Sequence, residues 1–304
     1  MNHVVWTQWS DLSAPEGIEV LHPDIAALDS DRVAEVTFYV PPYMSGLAGL
    51  QPVERMPKLR YLQLPNAGYD DAVAFAREGL TICNAKGVHD LSTAELALGL
   101  TIASLREIDD FVRAQASGSW INGPRPSLAY KRVGLIGYGS IGQTIARLLE
   151  PFHVDLVAFS RSGRDGSLTM DRLDQELPSL DVVILILPAT PETTKLFDAR
   201  RLGLMKDGAL LVNVARGVIV DTDALVAELA TGRISAALDV TDPEPLPKDH
   251  PLWYQPGVII SPHVGGNSSA FPPGMRALLQ RQLARLAAGE ELDNIVMNGL
   301  KGVQ

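Results

Sequence analysis

The chain has 304 residues, of which 46% are hydrophobic and 20% charged. This composition is typical of a globular protein with a large apolar core, and it excludes disorder as the main state. The 26 basic and 36 acidic residues give a formal net charge of −10, which argues against a nucleic-acid-binding protein because phosphate contacts need a basic surface. Cys83 is the single cysteine, so no disulfide can form within the chain.

The sequence predicts neither a membrane span nor a secretory leader. Its most notable apolar run, residues 182–187, ends at Pro188 and is too short to cross a bilayer. The first residues lack a basic segment followed by an apolar stretch. We therefore expect a cytoplasmic protein that contacts no membrane.

Short apolar runs in the first part of the chain predict strands of a parallel sheet. They are residues 4–7, 18–21, 36–40, 61–64 and 81–84. Continuous apolar character is typical of strands that are covered on both faces. Segments between them, such as residues 69–78, are long enough for helical crossovers.

One long helix is predicted from Ser92 to about residue 116. Ser92 is its predicted N-cap, because Glu95 follows three residues later as in a capping box. A loop rich in Gly, Pro and Ser covers residues 117–127. A second set of strands then follows, at residues 132–136, 155–159, 182–187, 209–214, 234–239 and 258–261. Their spacing predicts a doubly wound α/β domain.

The sheet pattern stops after residue 261. Residues 275–286 predict an amphipathic helix, and no element is predicted from residue 293 onward.

A glycine motif follows the first strand of the second set and opens a helix predicted at residues 143–150. Gly137 allows a tight turn, Gly139 allows the backbone to approach a diphosphate, and Gly142 allows close helix–strand packing. The helix N-terminus offers N–H groups to phosphate. The predicted cofactor contacts here are Gly137, Tyr138, Gly139, Ser140, Ile141 and Gly142. The alternative is a glycine-rich turn of another α/β protein.

The residues after the next strand favour NADP(H) over NAD(H). An NAD site usually places a carboxylate there, whereas this chain has Ser160, Arg161 and Ser162. An arginine can bind a 2′-phosphate that a carboxylate would repel. The alternative is a solvated loop whose arginines contact nothing.

These motifs stand in an order that resembles one family. They are Asn66-Ala-Gly-Tyr-Asp70, Gly87-Val-His-Asp90 with Ala94-Glu95, Gly137 to Gly142, Leu187-Pro188, Thr190-Pro-Glu-Thr-Thr194, Asn213-Val-Ala-Arg-Gly217, Leu238-Asp-Val240 with Pro243-Glu-Pro245, and Pro262-His-Val-Gly265. Over nearly its whole length the chain resembles the D-isomer-specific 2-hydroxyacid dehydrogenases, which include glyoxylate/hydroxypyruvate reductases. Any single motif could arise by chance, but the ordered set is specific.

The resemblance implies an α/β fold of two doubly wound parallel-sheet domains. A Rossmann NAD(P)-binding domain, residues 92–270, is inserted in a discontinuous flavodoxin-like substrate domain, residues 1–91 and 271–304, with the active site in the cleft. It further implies a homodimer that acts on a small-molecule 2-oxoacid.

The resemblance also implies a catalytic set. Arg216 would bind the substrate carboxylate and carbonyl oxygen, which suits the planar fork of a guanidinium. His263, paired with Glu244, would exchange a proton with the substrate oxygen, since a carboxylate favours the charged imidazolium. The alternatives are a surface ion pair for Arg216 and a structural histidine at His263.

The resemblance also implies further contacts with the cofactor and the substrate. Leu187 and Pro188 would line the cofactor, and Asp239 would accept a hydrogen bond from the nicotinamide carboxamide or simply cap its strand. The N–H groups of Ala67 and Gly68 would bind the substrate carboxylate or belong to a plain turn. The sequence has no clustered metal-ligand spacing and no Gly-x-Ser-x-Gly nucleophile motif.

Two other functions remain open at this point. The same scaffold carries phosphoglycerate, formate and phosphite dehydrogenases. A corepressor-like scaffold would bind and sense the dinucleotide with little turnover.

Overall fold

The computed structural model describes residues 2–22 and 31–299. The chain divides into two compact units. One consists of Met1–His89 together with Ser269–Gln304, and the other is the continuous segment Asp90–Ser268. Each unit is built around a parallel sheet with its own apolar core.

The strands are, in chain order, β1 (His3–Trp6), β2 (Ile18–Leu21), β3 (Phe38–Tyr39), β4 (Tyr61–Gln63), β5 (Thr81–Cys83), β6 (Arg132–Ile136), β7 (Asp155–Phe159), β8 (Val182–Leu185), β9 (Leu210–Asn213), β10 (Ser235–Leu238), β11 (Val258–Ile260) and β12 (Ile295–Asn298). The α-helices are α1 (Gly46–Leu50), α2 (Asp90–Leu105), α3 (Ile108–Ala116), α4 (Ser140–Leu149), α5 (Leu173–Glu176), α6 (Ala199–Leu204), α7 (Thr222–Ala230) and α8 (Phe271–Ala288).

The sheet of the first unit has the order β12-β5-β4-β3-β1-β2. The five strands from β2 to β5 are parallel and follow the flavodoxin-like order 2-1-3-4-5. The apolar face of α8, including Met275, Leu279 and Leu283, packs in one core cluster with Val5 and Phe38. The parallel α/β prediction for this part of the chain is confirmed.

The prediction of no element after residue 293 is wrong. There, β12 pairs antiparallel with β5 at the edge of the first sheet, with a register shift between Ile295 and Met297. Met297 is buried in the core beneath the sheet. A four-residue edge strand has too little periodicity to be read from sequence, because its pairing depends on a partner far along the chain.

The sheet of the second unit has the order β11-β10-β9-β8-β6-β7, and all neighbours are parallel. Leu168 forms an isolated parallel bridge with Phe159, the last residue of β7. With that bridge counted as a strand, the order is that of a Rossmann fold, 3-2-1-4-5-6, with one further strand. The crevice at which the strand order reverses therefore lies between the carboxyl ends of β6 and β8.

The single helix predicted from Ser92 is two helices. Glu107 takes a left-handed conformation, with φ of 50°, and this ends the regular backbone pattern between α2 and α3. Ser92 lies inside α2, which begins at Asp90, so it is not the N-cap. Several residues of α2 are buried, whereas none of α3 is, so the two segments differ in packing although both have helical sequences.

Two other helices begin earlier than predicted. Instead of residue 143, α4 begins at Ser140. Likewise, α8 begins at Phe271 and includes two prolines in its first turn, where the missing N–H groups are not needed. Within residues 2–22 and 31–299, no helix is long and apolar enough to span a membrane.

Gln282 joins the two pieces of the first unit. Its side chain is buried and donates to Gln63 Oε1 at 2.7 Å and to the Asp293 carbonyl at 2.9 Å, while its Oε1 accepts from the Asp293 N–H at 2.9 Å. Replacing one member of such a network leaves buried polar groups unsatisfied, which costs more than a lost surface hydrogen bond.

We expect Gln282→Met to lower the free energy of unfolding by about 1–3 kcal/mol, because Gln63 and Asp293 lose their partner. The matched control is Gln280→Met on the same helix. The hydrogen bonds of Gln280 to Ser13 are exposed and can be replaced by water, so this substitution should cost about 0.5 kcal/mol. Urea unfolding followed by circular dichroism measures both. Equal losses in the two variants would contradict this role.

Candidate active site

The predicted site residues of the second unit all follow its strands. The glycine loop, residues 137–142, follows β6, residues 160–162 follow β7, and Leu187 and Pro188 follow β8. Arg216 follows β9, Asp239 and Glu244 follow β10, and His263 follows β11. Because the strands are parallel, their carboxyl ends meet at one edge of the sheet, the edge where open α/β sheets bind ligands.

The structure brings His263 and Glu244 together. Nδ1 of His263 lies 2.5 Å from Oε1 of Glu244, and the two side chains are 40% and 42% exposed. The hydrogen bond from His263 is the largest cause of a lowered pKa for Glu244; burial opposes it, and the Thr241 N–H and the charge of Arg216 add to it. An ionised Glu244 can only accept, so Nδ1 of His263 is the donor in this pair.

Asp239 fixes the loop that carries His263. It is 3% exposed, and its carboxylate accepts hydrogen bonds from the Ser261 hydroxyl at 2.6 Å, the Val264 N–H at 2.9 Å and the Gly265 N–H at 2.9 Å. The His263 N–H also donates to the Asp239 carbonyl at 2.8 Å. His263 has a φ of 53°, a conformation that a non-glycine residue keeps only when its surroundings hold it.

The role of Asp239 in its own unit is therefore to cap the strand end. Its carboxylate is an acceptor for the loop 261–265, which was one of the two alternatives from sequence. A contact of Asp239 with the nicotinamide carboxamide stays a prediction.

Arg216 is held by a turn that the side chain of Asn213 closes. Asn213 Nδ2 donates to the Arg216 carbonyl at 3.0 Å, and Asn213 Oδ1 accepts from the Ala215 N–H at 3.1 Å. A Cβ on Gly217 would lie 1.9 Å from the Thr241 carbonyl oxygen, so the loops after β9 and β10 touch backbone to backbone. This contact brings Arg216 close enough to Glu244 for its charge to lower the pKa of that carboxyl group.

Asn213, Gly217 and Thr241 were assigned no role from sequence. A polar residue at the end of a buried strand, as Asn213 is, was the one available signal, because such a side chain needs a partner. The close approach of Gly217 to Thr241 joins loops whose contact no local pattern reveals.

The glycine loop has the geometry of a diphosphate cradle. A Cβ on Gly137, which has a φ of 112°, would lie 2.2 Å from the Ile186 carbonyl oxygen, and one on Gly142 would lie 2.2 Å from the Gly137 carbonyl oxygen. A Cβ on Gly139 would meet nothing within 4 Å. Two glycines thus serve packing, while the third leaves open space in front of the N-terminus of α4, which begins at Ser140 and offers N–H groups to an anion.

In the loop after β7, Ser160 and Ser162 make hydrogen bonds within the loop, whereas, among the residues that the structure describes, Arg161 makes none. Ser160 Oγ accepts from the Gly163 N–H at 3.0 Å, and Ser162 Oγ accepts from Arg164 Nε at 3.1 Å. Arg161 is exposed, and in the part of the chain that the structure describes no hydrogen bond or ion pair holds its guanidinium.

The remaining predicted residues lie where their strands end. Leu187 is buried in a core cluster, and the Pro188 carbonyl accepts from Thr193 Oγ1 at 2.8 Å. Ala67 and Gly68 follow β4 in the first unit, where the Ala67 carbonyl accepts from Asn84 Nδ2 at 2.6 Å. No group of three or more His, Cys, Asp or Glu side chains that could hold a metal ion occurs among the described residues.

Comparison with known proteins identifies the family. The family model described as D-isomer specific 2-hydroxyacid dehydrogenase, NAD binding domain, matches residues 98–265. A glyoxylate reductase of Pyrococcus horikoshii is 35% identical over 257 residues, which cover 78% of this chain and 76% of that enzyme.

Solved structures agree with that assignment. A D-isomer specific 2-hydroxyacid dehydrogenase family protein of Aeromonas salmonicida has a TM-score of 0.86 at 28% identity, covering 98% of this chain and 99% of that one. Another, from Xanthobacter autotrophicus in complex with NADPH and MES, has a TM-score of 0.80 at 28% identity and covers 97% and 98%. With its Rossmann-type unit and this sequence similarity, the chain belongs to the D-isomer specific 2-hydroxyacid dehydrogenase family and is a dinucleotide-dependent hydroxyacid oxidoreductase.

Proposed function

We propose that the protein reduces a small 2-oxoacid of the glyoxylate or hydroxypyruvate type to the D-2-hydroxyacid, reversibly and with NADP(H) as the preferred cofactor. The observation that carries the proposal is the 2.5 Å contact between His263 Nδ1 and Glu244 Oε1, on the same sheet edge as the diphosphate cradle. The glyoxylate reductase relatives support this substrate class.

The bound nicotinamide supplies the hydride. His263 supplies the proton: Nε2 donates to the carbonyl oxygen as that oxygen gains charge, and it takes the proton back in the reverse direction. Glu244 accepts the hydrogen bond from Nδ1 and thereby fixes the orientation of the ring. The Glu244 carboxylate therefore holds the His263 ring in the orientation that proton transfer from Nε2 requires.

Arg216 binds the substrate carboxylate and the neighbouring carbonyl oxygen. A guanidinium presents paired N–H donors in one plane, which fits two oxygens on adjacent carbons. Its positive charge also stabilises the negative charge that develops on the carbonyl oxygen during reduction. The N–H groups of Ala67 and Gly68 are proposed as further donors to the carboxylate, and Asp239 as an acceptor for the carboxamide.

The residues proposed to hold the cofactor are those of the cradle and the strand ends beside it. The loop Gly137 to Gly142 would contact the diphosphate, and Leu187 with Pro188 would flank the adjoining part of the cofactor. Preference for NADP(H) is proposed from Arg161, whose guanidinium no other side chain fixes by a hydrogen bond within the described residues, and from the absence of a carboxylate among residues 160–164. The structural relative solved with NADPH supports this choice.

We further propose a homodimer formed through α3 and the segment after it. Ile108, Val112, Trp120 and Ile121 are exposed apolar side chains there, and Trp120 is 95% exposed. Exposed large apolar side chains that lie close together along the chain are the support for this proposal, because contiguous apolar surface is typical of protein–protein interfaces.

With a panel of glyoxylate, hydroxypyruvate, pyruvate, 3-phosphohydroxypyruvate and phenylpyruvate, we expect NADPH oxidation to be fastest with the first two. The apparent KM should be lower for NADPH than for NADH. Absorbance at the nicotinamide band measures the rates. Oxidation of formate or phosphite with no reduction of any 2-oxoacid would contradict the proposal, as would dinucleotide binding without turnover.

We expect His263→Gln to lower kcat about 10²- to 10⁴-fold, because the general acid is lost, while the Kd for NADPH stays unchanged. The matched control is His153→Gln, which makes the same substitution before β7, at the opposite end of the strands, and should leave kcat near the wild-type value. Steady-state kinetics and a fluorescence titration of NADPH separate the two effects. A kcat near wild type in His263→Gln would remove the acid assignment.

Sedimentation equilibrium should give twice the chain mass of 32.8 kDa. The double variant Val112→Ser with Trp120→Ser should give the mass of one chain, because it removes apolar area from the proposed interface. Val73→Ser, an exposed valine of the first unit, is the control and should remain dimeric. A wild-type protein of single-chain mass would refute the dimer.

A further inference from the structure

The loop after β4 in the first unit is held by the segment that follows β5. The Pro65 carbonyl accepts a hydrogen bond from Nε2 of His89 at 2.8 Å. The next carbonyl, that of Asn66, accepts from the Ala85 N–H at 2.8 Å. Two consecutive peptide groups of the loop are therefore fixed through their oxygens, and both donors come from residues 84–89.

The third peptide group is fixed by a side chain. Asn84, which is 8% exposed, donates from Nδ2 to the Ala67 carbonyl at 2.6 Å. Its Oδ1 accepts from the Lys86 N–H at 3.2 Å, so one donor contact and one acceptor contact define the orientation of the amide. The Asn84 carbonyl accepts from Gln63 Nε2 at 3.0 Å, and Gln63 Oε1 accepts from Gln282. Asn84 thus lies at the loop end of the buried amide network that includes Gln282.

Each peptide plane passes the direction of its carbonyl to the next N–H group. In a planar trans peptide the C=O bond and the following N–H bond point in opposite directions. Because Ala85 holds the Asn66 carbonyl, it also sets the direction of the Ala67 N–H. Because Asn84 holds the Ala67 carbonyl, it sets the direction of the Gly68 N–H.

The N–H groups of Ala67 and Gly68 are available to a ligand. Both residues are half-buried, and among residues 2–22 and 31–299 no hydrogen bond uses either N–H group. Successive backbone N–H groups are a common binding site for anions. Donors whose direction is already fixed need no reorganisation when a carboxylate binds to them.

We propose that Asn84 is a positioning residue, whose side-chain amide aims the Gly68 N–H at the carboxylate of the 2-oxoacid and so raises the affinity for that substrate. The inference rests on the proposed function, in which the N–H groups of Ala67 and Gly68 bind the substrate carboxylate. Without the Asn84 amide, the peptide group between Ala67 and Gly68 is free to rotate, and its N–H no longer keeps one direction.

The effect is expected on substrate binding and not on the chemical step. The carboxylate keeps its charge throughout the reduction, so a donor to it contributes equally to the ground state and to the transition state. Loss of such a contact raises KM and leaves kcat unchanged. A hydrogen bond to a charged group changes affinity about tenfold or more, so a misaligned one should cost about five- to twentyfold.

The variant Asn84→Ser tests the proposal. Serine keeps a hydroxyl that can accept from the Lys86 N–H, but its side chain is too short to reach the Ala67 carbonyl. The KM for glyoxylate should rise about five- to twentyfold, while kcat stays within about twofold and the Kd for NADPH is unchanged. Oxamate, an unreactive analogue with the same carboxylate, should bind the NADPH-saturated protein more weakly by the same factor in a calorimetric titration.

The matched control is Gln282→Met, which removes another buried amide of the same network without a hydrogen bond to residues 65–68. It should lower stability and leave both the KM for glyoxylate and the Kd for oxamate near the wild-type values. A second variant, Asn84→Asp, keeps the shape of the side chain and the acceptor for Lys86, and when ionised it cannot donate to Ala67. Its KM should rise at least as much as that of Asn84→Ser, and urea unfolding checks that each variant is folded.

The possible failures are distinguishable. An unchanged KM in folded Asn84→Ser or Asn84→Asp would overturn the role of Asn84 and leave the proposed function standing. An equal rise of KM in Gln282→Met, or a Kd for NADPH that changes together with KM, would do the same, because either result indicates a general distortion. A wild-type protein that reduces no 2-oxoacid would overturn the proposed function and this inference together.

Discussion

The buried carboxylate of Asp239 is the constraint on which the site depends. It lies at the end of β10 and accepts hydrogen bonds from the Ser261 hydroxyl and from backbone N–H groups of the loop that carries His263. A buried charge is stable only when its hydrogen bonds are satisfied, so the loop and the carboxylate hold each other in place. The left-handed backbone of His263 is held by this arrangement.

A second constraint acts between backbones. The glycine at position 217 lets the loop after β9 lie against the loop after β10, and the Asn213 side chain closes the turn that precedes it. Arg216 and Glu244 are therefore carried by two loops whose backbones are in direct contact. This arrangement supports the proposal that a guanidinium, a carboxylate and an imidazole from three loops act on one small substrate.

Much of the architecture could be predicted from the chain. Continuous apolar runs predicted the parallel strands β1 to β11, and the predicted bounds lie within two residues of the observed ones. Buried parallel strands leave a strong local signal in the sequence. The glycine motif identified the loop after β6, because the backbone packs so tightly at Gly137 and Gly142 that no side chain fits there. His263 and Glu244 were paired by resemblance, and their contact is found in the structure.

Features that depend on distant contacts could not be predicted. The strand β12 needs β5 as its partner, and the turn at Glu107 replaces helix with a conformation that no local residue requires. The sequence left the role of Asp239 open between a strand cap and a cofactor contact, because the cap depends on a loop more than twenty positions away. In β12 and in the loop that Asp239 holds, hydrogen bonds between distant parts of the chain override local propensity.

The divided first unit has a consequence for synthesis on the ribosome. Residues of α8 and β12 complete its core and its sheet edge, yet they are made only after the whole of Asp90–Ser268. The continuous second unit can collapse as soon as it emerges, while the amino-terminal strands must wait with Phe38 and Cys83 lacking part of their cover. Nascent chains therefore carry an unfinished apolar surface until α8 and β12 have been synthesised, and a surface of this kind favours aggregation.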